Sequence, residues 1–134
     1  MTIDNGLFMV VYHRNHLGVM SATALTNVGG FYDYDFSSAE TQVYGGANGH
    51  KDLGDGYWGM IAADGDANGL IQATDETGAW KTDLGASGYL GGDFDMNGLG
   101  QGTDETGYWV PNLGGGGQVP AKASDTGYQS QIPK

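Results

Sequence analysis

Oxygen-bearing side chains recur with a fixed spacing in two segments, 64–75 and 93–104. Each segment reads Asp-x-Asp-x-Asn-Gly-x-x-Gln-x-x-Asp, so side-chain oxygens fall at loop positions 1, 3, 5, 9 and 12, with glycine at position 6. Alternate residues of a tight loop can direct successive side chains towards one point, and the glycine permits the sharp reversal. Calcium takes about six to eight oxygen ligands, so this spacing is typical of a calcium-binding loop.

The two segments belong to a tandem repeat with a period of 29 residues. Between 64–80 and 93–109, twelve of the seventeen positions are identical, including all five donor positions. A single acidic, glycine-rich stretch is often an ordinary surface turn. Two copies with the same donor spacing favour metal binding over a pair of turns.

Two features distinguish these loops from an ordinary EF-hand. Position 12 is Asp rather than the longer Glu, and no amphipathic helix precedes either loop. The pair resembles the dockerin family, whose modules carry two such loops, each followed by a helix. The resemblance covers 64–109 and implies two calcium ions. The implied ligands are, for the first ion, Asp64, Asp66, Asn68, the Leu70 carbonyl, Gln72 and Asp75, and for the second, Asp93, Asp95, Asn97, the Leu99 carbonyl, Gln101 and Asp104.

The segments after the loops are predicted to be short helices, because Gly78 and Gly107 interrupt them. We expect Trp80 and Trp109 to pack these helices into a shared core. Gly100 replaces Ile71 at position 8 of the second loop, which adds backbone freedom that binding must remove. The second site is therefore predicted to be the weaker one.

Composition narrows the classes of function. The 134 residues contain 26 Gly, 16 acids against five Lys and Arg, and no Cys, with a net charge of −11. Such a charge repels a phosphate backbone, which excludes nucleic-acid binding, and no apolar run is long enough to predict membrane insertion. Without disulfides, bound calcium is the expected means of holding the loops, at weak affinities that suit an extracellular or cell-surface location.

The segment 1–63 is predicted to be a small antiparallel sheet. Residues 7–12 are apolar on both faces, which predicts a covered strand, and 17–26 returns as its hairpin partner. Residues 31–36 alternate between aromatic and acidic side chains, as in a half-buried strand. Ser37 and Glu40 match a capping box, which predicts about two helical turns ended by the glycines at 45–46.

These patterns predict three units: a β-rich subdomain over 1–63, a dockerin-like tandem calcium-binding module over 64–109, and a glycine-rich linker and tail over 110–134. The fold class is α+β overall, a mainly β first part joined to a loop-rich, duplicated calcium-loop and short-helix module. The glycines at 114–117 are expected to form a flexible joint. The tail beyond them could be disordered or could add as a strand to a neighbouring subunit.

His13 and His16 suggest a metal pair, but on a strand an offset of three places the two rings on opposite faces. With no third ligand evident, a turn or a packed imidazole is the expected role. The surrounding segment 12–22, the later Gly-Tyr-Trp-Gly-Met at 56–60 and the twin loops look like the C-terminal region of large surface proteins of Bacteroidota-type bacteria. That resemblance implies no catalytic role, and no catalytic arrangement of residues is legible.

The predicted function is a non-enzymatic, extracellular, calcium-stabilised structural module of a bacterial surface protein. It would self-associate as a filament subunit through strand exchange between neighbours. One alternative is a dockerin-type adaptor that binds a cohesin-like protein receptor. Another is a carbohydrate-binding module that uses exposed aromatic side chains, although core packing is expected for most of its candidates, Tyr32, Tyr34, Tyr57, Trp58 and Tyr89.

Overall fold

The structure is a computed structural model that describes residues 6–119. It has the predicted α+β class, with three two-stranded antiparallel sheets and short helical segments separated by loops. The strands are β1 Val10–Val11, β2 Val19–Met20, β3 Asn27–Val28, β4 Phe31–Tyr32, β5 Lys51–Gly54 and β6 Tyr57–Gly59. Two 3-10 turns cover Glu40–Gln42 and Gly46–Asn48.

Each acidic loop is followed by a helical segment that contains a π-helical turn. The first consists of α1 Ala73–Asp75, the π turn Glu76–Trp80 and α2 Lys81–Asp83. The second consists of α3 Gly102–Asp104, the π turn Glu105–Trp109 and α4 Val110–Asn112. No helix among residues 6–119 is both long and apolar enough to cross a bilayer.

The predicted hairpin of 7–12 with 17–26 is confirmed, with Val10 opposite Met20 in the register of β1 and β2. The other side of β2 pairs with a later segment, since the N–H of Tyr44 donates to the carbonyl of Met20 at 2.9 Å. The prediction that 7–12 is covered on both faces is wrong, because Phe8 keeps 44% of its surface exposed and Val11 36%.

The predicted helix after Ser37 is also wrong. The N–H and the hydroxyl of Ser37 both donate to Oδ1 of Asp35, at 2.8 and 2.7 Å, which forms a local turn in place of a helix cap. Only the 3-10 turn Glu40–Gln42 follows. The alternating strand is shorter than expected, because β4 ends at Tyr32.

The hairpin of β5 with β6 was not predicted, although the sequence carries its signal. Asp55 and Gly56 have φ angles of 54° and 82°, so both turn residues are left-handed, as a type I′ turn requires. Asp-Gly is a favoured pair for that turn. This pair lies within the glycine-rich stretch 45–56, where other glycines also favour turns, so it did not stand out as a hairpin turn.

The hydrophobic core joins the two segments that the sequence separates at 63. Its buried members are Leu17, Ala62, Ala63, Ile71, Trp80 and Phe94. Trp109 packs against this cluster, so the expectation that the two repeat tryptophans enter a shared core is confirmed. The first part of the chain and both acidic loops therefore share one apolar centre.

The glycines at 114–117 do not form a flexible joint. The N–H of Gly114 donates to the carbonyl of Ile71 at 2.9 Å, and the N–H of Ile71 donates to the carbonyl of Gly115 at 2.8 Å. Gly117 continues this pairing by donating to the carbonyl of Gly69 at 2.8 Å. The run is thus paired with the first acidic loop, and the predicted tail over 120–134 lies outside the described residues.

Candidate metal centre

The two acidic loops bring their first, third and twelfth residues together. Carboxylate oxygens of Asp64, Asp66 and Asp75 all lie within 4.8 Å of one another. The second loop does the same with Asp93, Asp95 and Asp104. Each of these triads could hold a metal ion.

Backbone N–H groups fix the carboxylates of the first loop. Asp64 accepts hydrogen bonds from the N–H groups of Asn68 and Gly69, both at 3.0 Å. Asp75 accepts from the N–H of Asp66 at 3.2 Å and from the N–H of Gln72 at 2.7 Å. These bonds orient the carboxylates of the first and last residues of the loop.

The second loop repeats this pattern bond for bond. Asp93 accepts from Asn97 and Gly98 at 3.0 Å each, and Asp104 accepts from Asp95 and Gln101 at 3.1 and 2.9 Å. The left-handed backbone recurs as well, because the position-6 glycines Gly69 and Gly98 have φ angles of 88° and 87°. The repeated spacing of the oxygen donors therefore produces the same loop geometry in both segments.

The asparagine and leucine residues predicted as ligands are bonded within their own loops. The N–H of Leu70 donates to Oδ1 of Asn68, and the N–H of Leu99 donates to Oδ1 of Asn97, each at 2.9 Å. Leu70 bridges to Gly116, and Leu99 bridges to Ser87. The flanking residues make the bridge hydrogen bonds, so each leucine carbonyl faces away from its bridge partner, towards its own loop.

The glutamines at position 9 have a second role. Gln72 and Gln101 directly precede α1 and α3, and their N–H groups donate to Asp75 and Asp104. Their backbones thus tie the twelfth residue to the loop. The two acidic triads form without the glutamine side chains.

Each triad brings several negatively charged side chains together, two of them with little of their surface exposed. Asp64, Asp75, Asp93 and Asp104 are between 0% and 3% exposed. Among residues 6–119, one ion pair reaches a triad, from Nη2 of Arg14 to Oδ2 of Asp93 at 3.4 Å. Burying a carboxylate without a compensating charge is costly, so this donor set fits a divalent cation.

The pKa values of the triad carboxylates reflect this crowding. Burial raises the pKa of Asp64 to about 6, and the nearby Asp75 and Asp66 charges add to the rise, while N–H groups of the loop oppose it. Burial is also the main cause that raises the pKa of Asp75 and of Asp95. A bound cation would reverse this effect by stabilising the charged forms.

Sequence reasoning missed Asn15, which joins the two loops. Its backbone carbonyl accepts from the N–H of Asp64 at 3.1 Å, at the start of the first loop. Its side-chain Nδ2 donates to the carbonyl of Asp93 at 2.7 Å, at the start of the second. Asn15 is fully buried, and a lone polar residue between two strands gives no signal of such a role in the sequence.

Arg14 also contacts the second loop. Its Nε donates to the carbonyl of Leu90 at 2.8 Å, and its guanidinium carbon lies 3.9 Å from the ring centroid of Tyr89. A positive charge beside Asp93 opposes a cation in the second triad. This adds an electrostatic reason to the prediction that the second site is weaker.

The two helical segments are placed by matching bonds at equivalent positions. Gly100 pairs with the chain after α2, since Gly85 donates to its carbonyl at 2.8 Å and it donates to the carbonyl of Ala86 at 3.0 Å. Ile71, the counterpart of Gly100 in the first loop, pairs in the same way with Gly114 and Gly115, which follow α4. The repeat therefore extends beyond the tryptophans, as Leu-Gly at 84–85 and again at 113–114 indicates.

The fold and site together define an α+β protein with two linked acidic loops that could each hold a metal ion. Comparisons of the chain with protein-family models, curated proteins and solved structures find no match.

Proposed function

We propose that this chain is a calcium-stabilised, non-enzymatic structural module of an extracellular bacterial surface protein. The observation that carries the proposal is the pair of acidic triads, in which four carboxylates are almost completely buried. Among the described residues, one ion pair brings a positive charge to these triads, from Arg14 to Asp93. Two divalent ions would supply the missing positive charge and would make the duplicated loops the centre of stability.

Calcium is the divalent ion that best suits these loops. The donors are carboxylate, amide and carbonyl oxygens, and no imidazole belongs to either triad. Calcium accepts about six to eight such ligands in flexible geometry, whereas magnesium demands a near-ideal octahedron and keeps several waters. Two calcium ions would reduce the net charge from −11 to −7, since each adds two positive charges.

The proposed role in an extracellular surface protein rests on the expected calcium affinity and on the lack of disulfide bonds. Each loop offers three carboxylates, and the chain has no Cys for disulfides. Such loops bind calcium weakly, in the range of about 10⁻⁵ to 10⁻³ M, which extracellular calcium would saturate. The ions would then replace disulfides in holding a glycine-rich chain together.

The test is thermal melting of the full chain in metal-free buffer, in calcium and in magnesium. We expect calcium to raise Tm by more than about 10 °C, because occupancy well above Kd contributes several kcal/mol. The double substitution of Asp64→Asn and Asp93→Asn should remove that increase. Asp33→Asn, at an exposed acid outside the loops, should retain it. A wild-type melt that is indifferent to calcium would refute the proposal.

We propose that copies of this chain assemble through β1. In the described residues β1 pairs on one side only, with β2, and apolar surface is exposed at Val11 within β1 and at the nearby Phe8. Such an edge can accept a strand from another copy of the chain, and an open head-to-tail arrangement yields a filament.

Assembly is tested by light scattering and electron microscopy over a range of concentrations in calcium. We expect polymers that are lost when Phe8→Lys and Val11→Lys are combined, and retained in Val28→Lys, which adds a charge at an exposed site on β3. A monomer at all concentrations would refute assembly and favour the dockerin-type adaptor. Glycan binding that depends on the exposed Tyr57 and Tyr89 would favour the carbohydrate-binding alternative.

A further inference from the structure

The two histidines that the strand pattern places on opposite faces lie together in the structure. Nδ1 of His13 and Nδ1 of His16 are 3.0 Å apart, and the two rings are nearly perpendicular, with centroids 4.6 Å apart. The expectation of opposite faces is wrong because residues 13–16 form a turn between β1 and β2 rather than a continuous strand.

A third donor atom belongs to the same cluster. Oδ1 of Asn15 lies 2.8 Å from Nδ1 of His16. The orientation of this amide is fixed, because its Nδ2 donates to the carbonyl of Asp93 at 2.7 Å. Asn15 is fully buried, so its oxygen is held in place beside the imidazoles.

The three atoms of this cluster meet at His16. A neutral imidazole nitrogen carries either one proton or one lone pair in the ring plane. Nδ1 of His16 lies within hydrogen-bond distance of both Nδ1 of His13 and Oδ1 of Asn15, so a single hydrogen on it is shared between two acceptors. A cation in place of that hydrogen would use the lone pairs of all three atoms.

The cationic side chain nearest in sequence does not occupy this cluster. Arg14 lies between the two histidines in the chain, but its guanidinium donates to the Leu90 carbonyl and to Asp93. The imidazole nitrogens of His13 and His16 are bonded to each other and to Asn15.

We propose that His13 Nδ1, His16 Nδ1 and Asn15 Oδ1 form a third cation site, selective for a divalent transition metal of octahedral or tetragonal geometry such as Ni²⁺ or Cu²⁺. Ligands about 2.1 Å from a metal at right angles to one another are about 3.0 Å apart, which matches the observed 2.8 and 3.0 Å. A tetrahedral ion such as Zn²⁺ would need a wider spacing of about 3.4 Å. This proposal does not rest on the proposed calcium function.

The test is calorimetric titration of the full chain with Ni²⁺ in saturating calcium, which keeps the acidic loops occupied. We expect one Ni²⁺ per chain, and an affinity that falls about tenfold or more in His13→Ala. Asp33→Asn, at an exposed acid outside the loops, should bind Ni²⁺ like wild type, and the saturating calcium separates this site from the acidic loops. His13 is partly exposed, so His13→Ala should fold, and its melting curve checks this.

Imidazole ¹⁵N NMR supplies an internal control. Paramagnetic Ni²⁺ should broaden the ring signals of His13 and His16 and spare those of His50, which is buried, stacked on Trp58 and bonded to the Glu40 carbonyl. Preferential broadening of His50, an affinity within twofold of wild type in His13→Ala, or an absence of binding would each overturn the proposal.

Discussion

The indole nitrogen of Trp80 donates a hydrogen bond to the backbone carbonyl of Gln101 at 2.7 Å. Trp80 belongs to the helical segment of the first loop, whereas Gln101 is position 9 of the second. The reverse bond also exists, from Nε1 of Trp109 to the carbonyl of Gln72 at 3.0 Å. Each loop is therefore held by the tryptophan of the other repeat, so ordering one loop favours order in its partner.

Removal of one of these bonds should weaken the coupling between the two sites. In Trp80→Phe an aromatic ring stays in the core, but the Gln101 carbonyl loses its donor, at a cost of about 1 to 3 kcal/mol. We expect calcium titrations to change from cooperative to independent binding, with the larger loss of affinity at the second site. Trp58→Phe, in a tryptophan stacked on His50 away from the loops, is the matched control. Equal cooperativity in both variants would contradict the coupling.

The side chain of Asn15 is expected to act on one loop and its backbone on the other. Asn15→Ala removes the donor to the Asp93 carbonyl but keeps the backbone carbonyl that accepts from Asp64. We therefore expect a loss of about 1 to 3 kcal/mol in stability and weaker calcium binding at the second site, with the first site close to wild type. Calcium titrations in Asp64→Asn and Asp93→Asn backgrounds resolve the two sites. A larger loss at the first site would disprove this division.

The sequence identified the calcium-loop pattern but not what holds the loops. Donor spacing is a local property, so Asp64, Asp75 and their counterparts could be found from the repeat alone. The bonds of Asn15 to both loops and of Gly114 to Ile71 join residues more than forty positions apart and leave no periodic signal. The pairing of His13 with His16 was missed for another reason, because a strand period was assumed where the chain turns.

Asp64 should couple proton binding to calcium binding. In the folded, metal-free chain burial raises the pKa of Asp64 to about 6, whereas in the unfolded chain it returns to its ordinary value of 3.8. Between these values the folded state binds the extra proton, so the contribution of Asp64 to the free energy of unfolding falls as pH rises. Calcium must displace that proton, so the stabilisation by calcium should be lost as pH falls through about 6.

Melting curves of wild type and Asp64→Asn at about pH 5 and pH 7.5 isolate this contribution. Burial, together with His13 and Arg14, lowers the pKa of His16 to about 4, which gives stability the opposite slope up to the ordinary value of 6.5, but both chains share this effect. We expect the stability of the metal-free wild type relative to Asp64→Asn to be greater at pH 5 than at pH 7.5, and calcium to raise the Tm of wild type more at pH 7.5 than at pH 5. A metal-free difference between the two chains that does not fall as pH rises would contradict this assignment.

Two neighbouring glycines in the second loop should respond oppositely to alanine. A Cβ at Gly100 would overlap the backbone carbonyl of Asp83, so this glycine allows α2 and its following turn to approach the loop. A Cβ at Gly102, in α3, would meet no atom within 4 Å.

We expect Gly100→Ala to destabilise the fold by about 2 kcal/mol or more and to weaken the second calcium site. Gly102→Ala should stabilise it by about 0.5 to 1 kcal/mol, since alanine favours the helix. Urea unfolding in calcium measures both changes, and a neutral Gly100→Ala would mean that the chain after α2 does not pack against the loop.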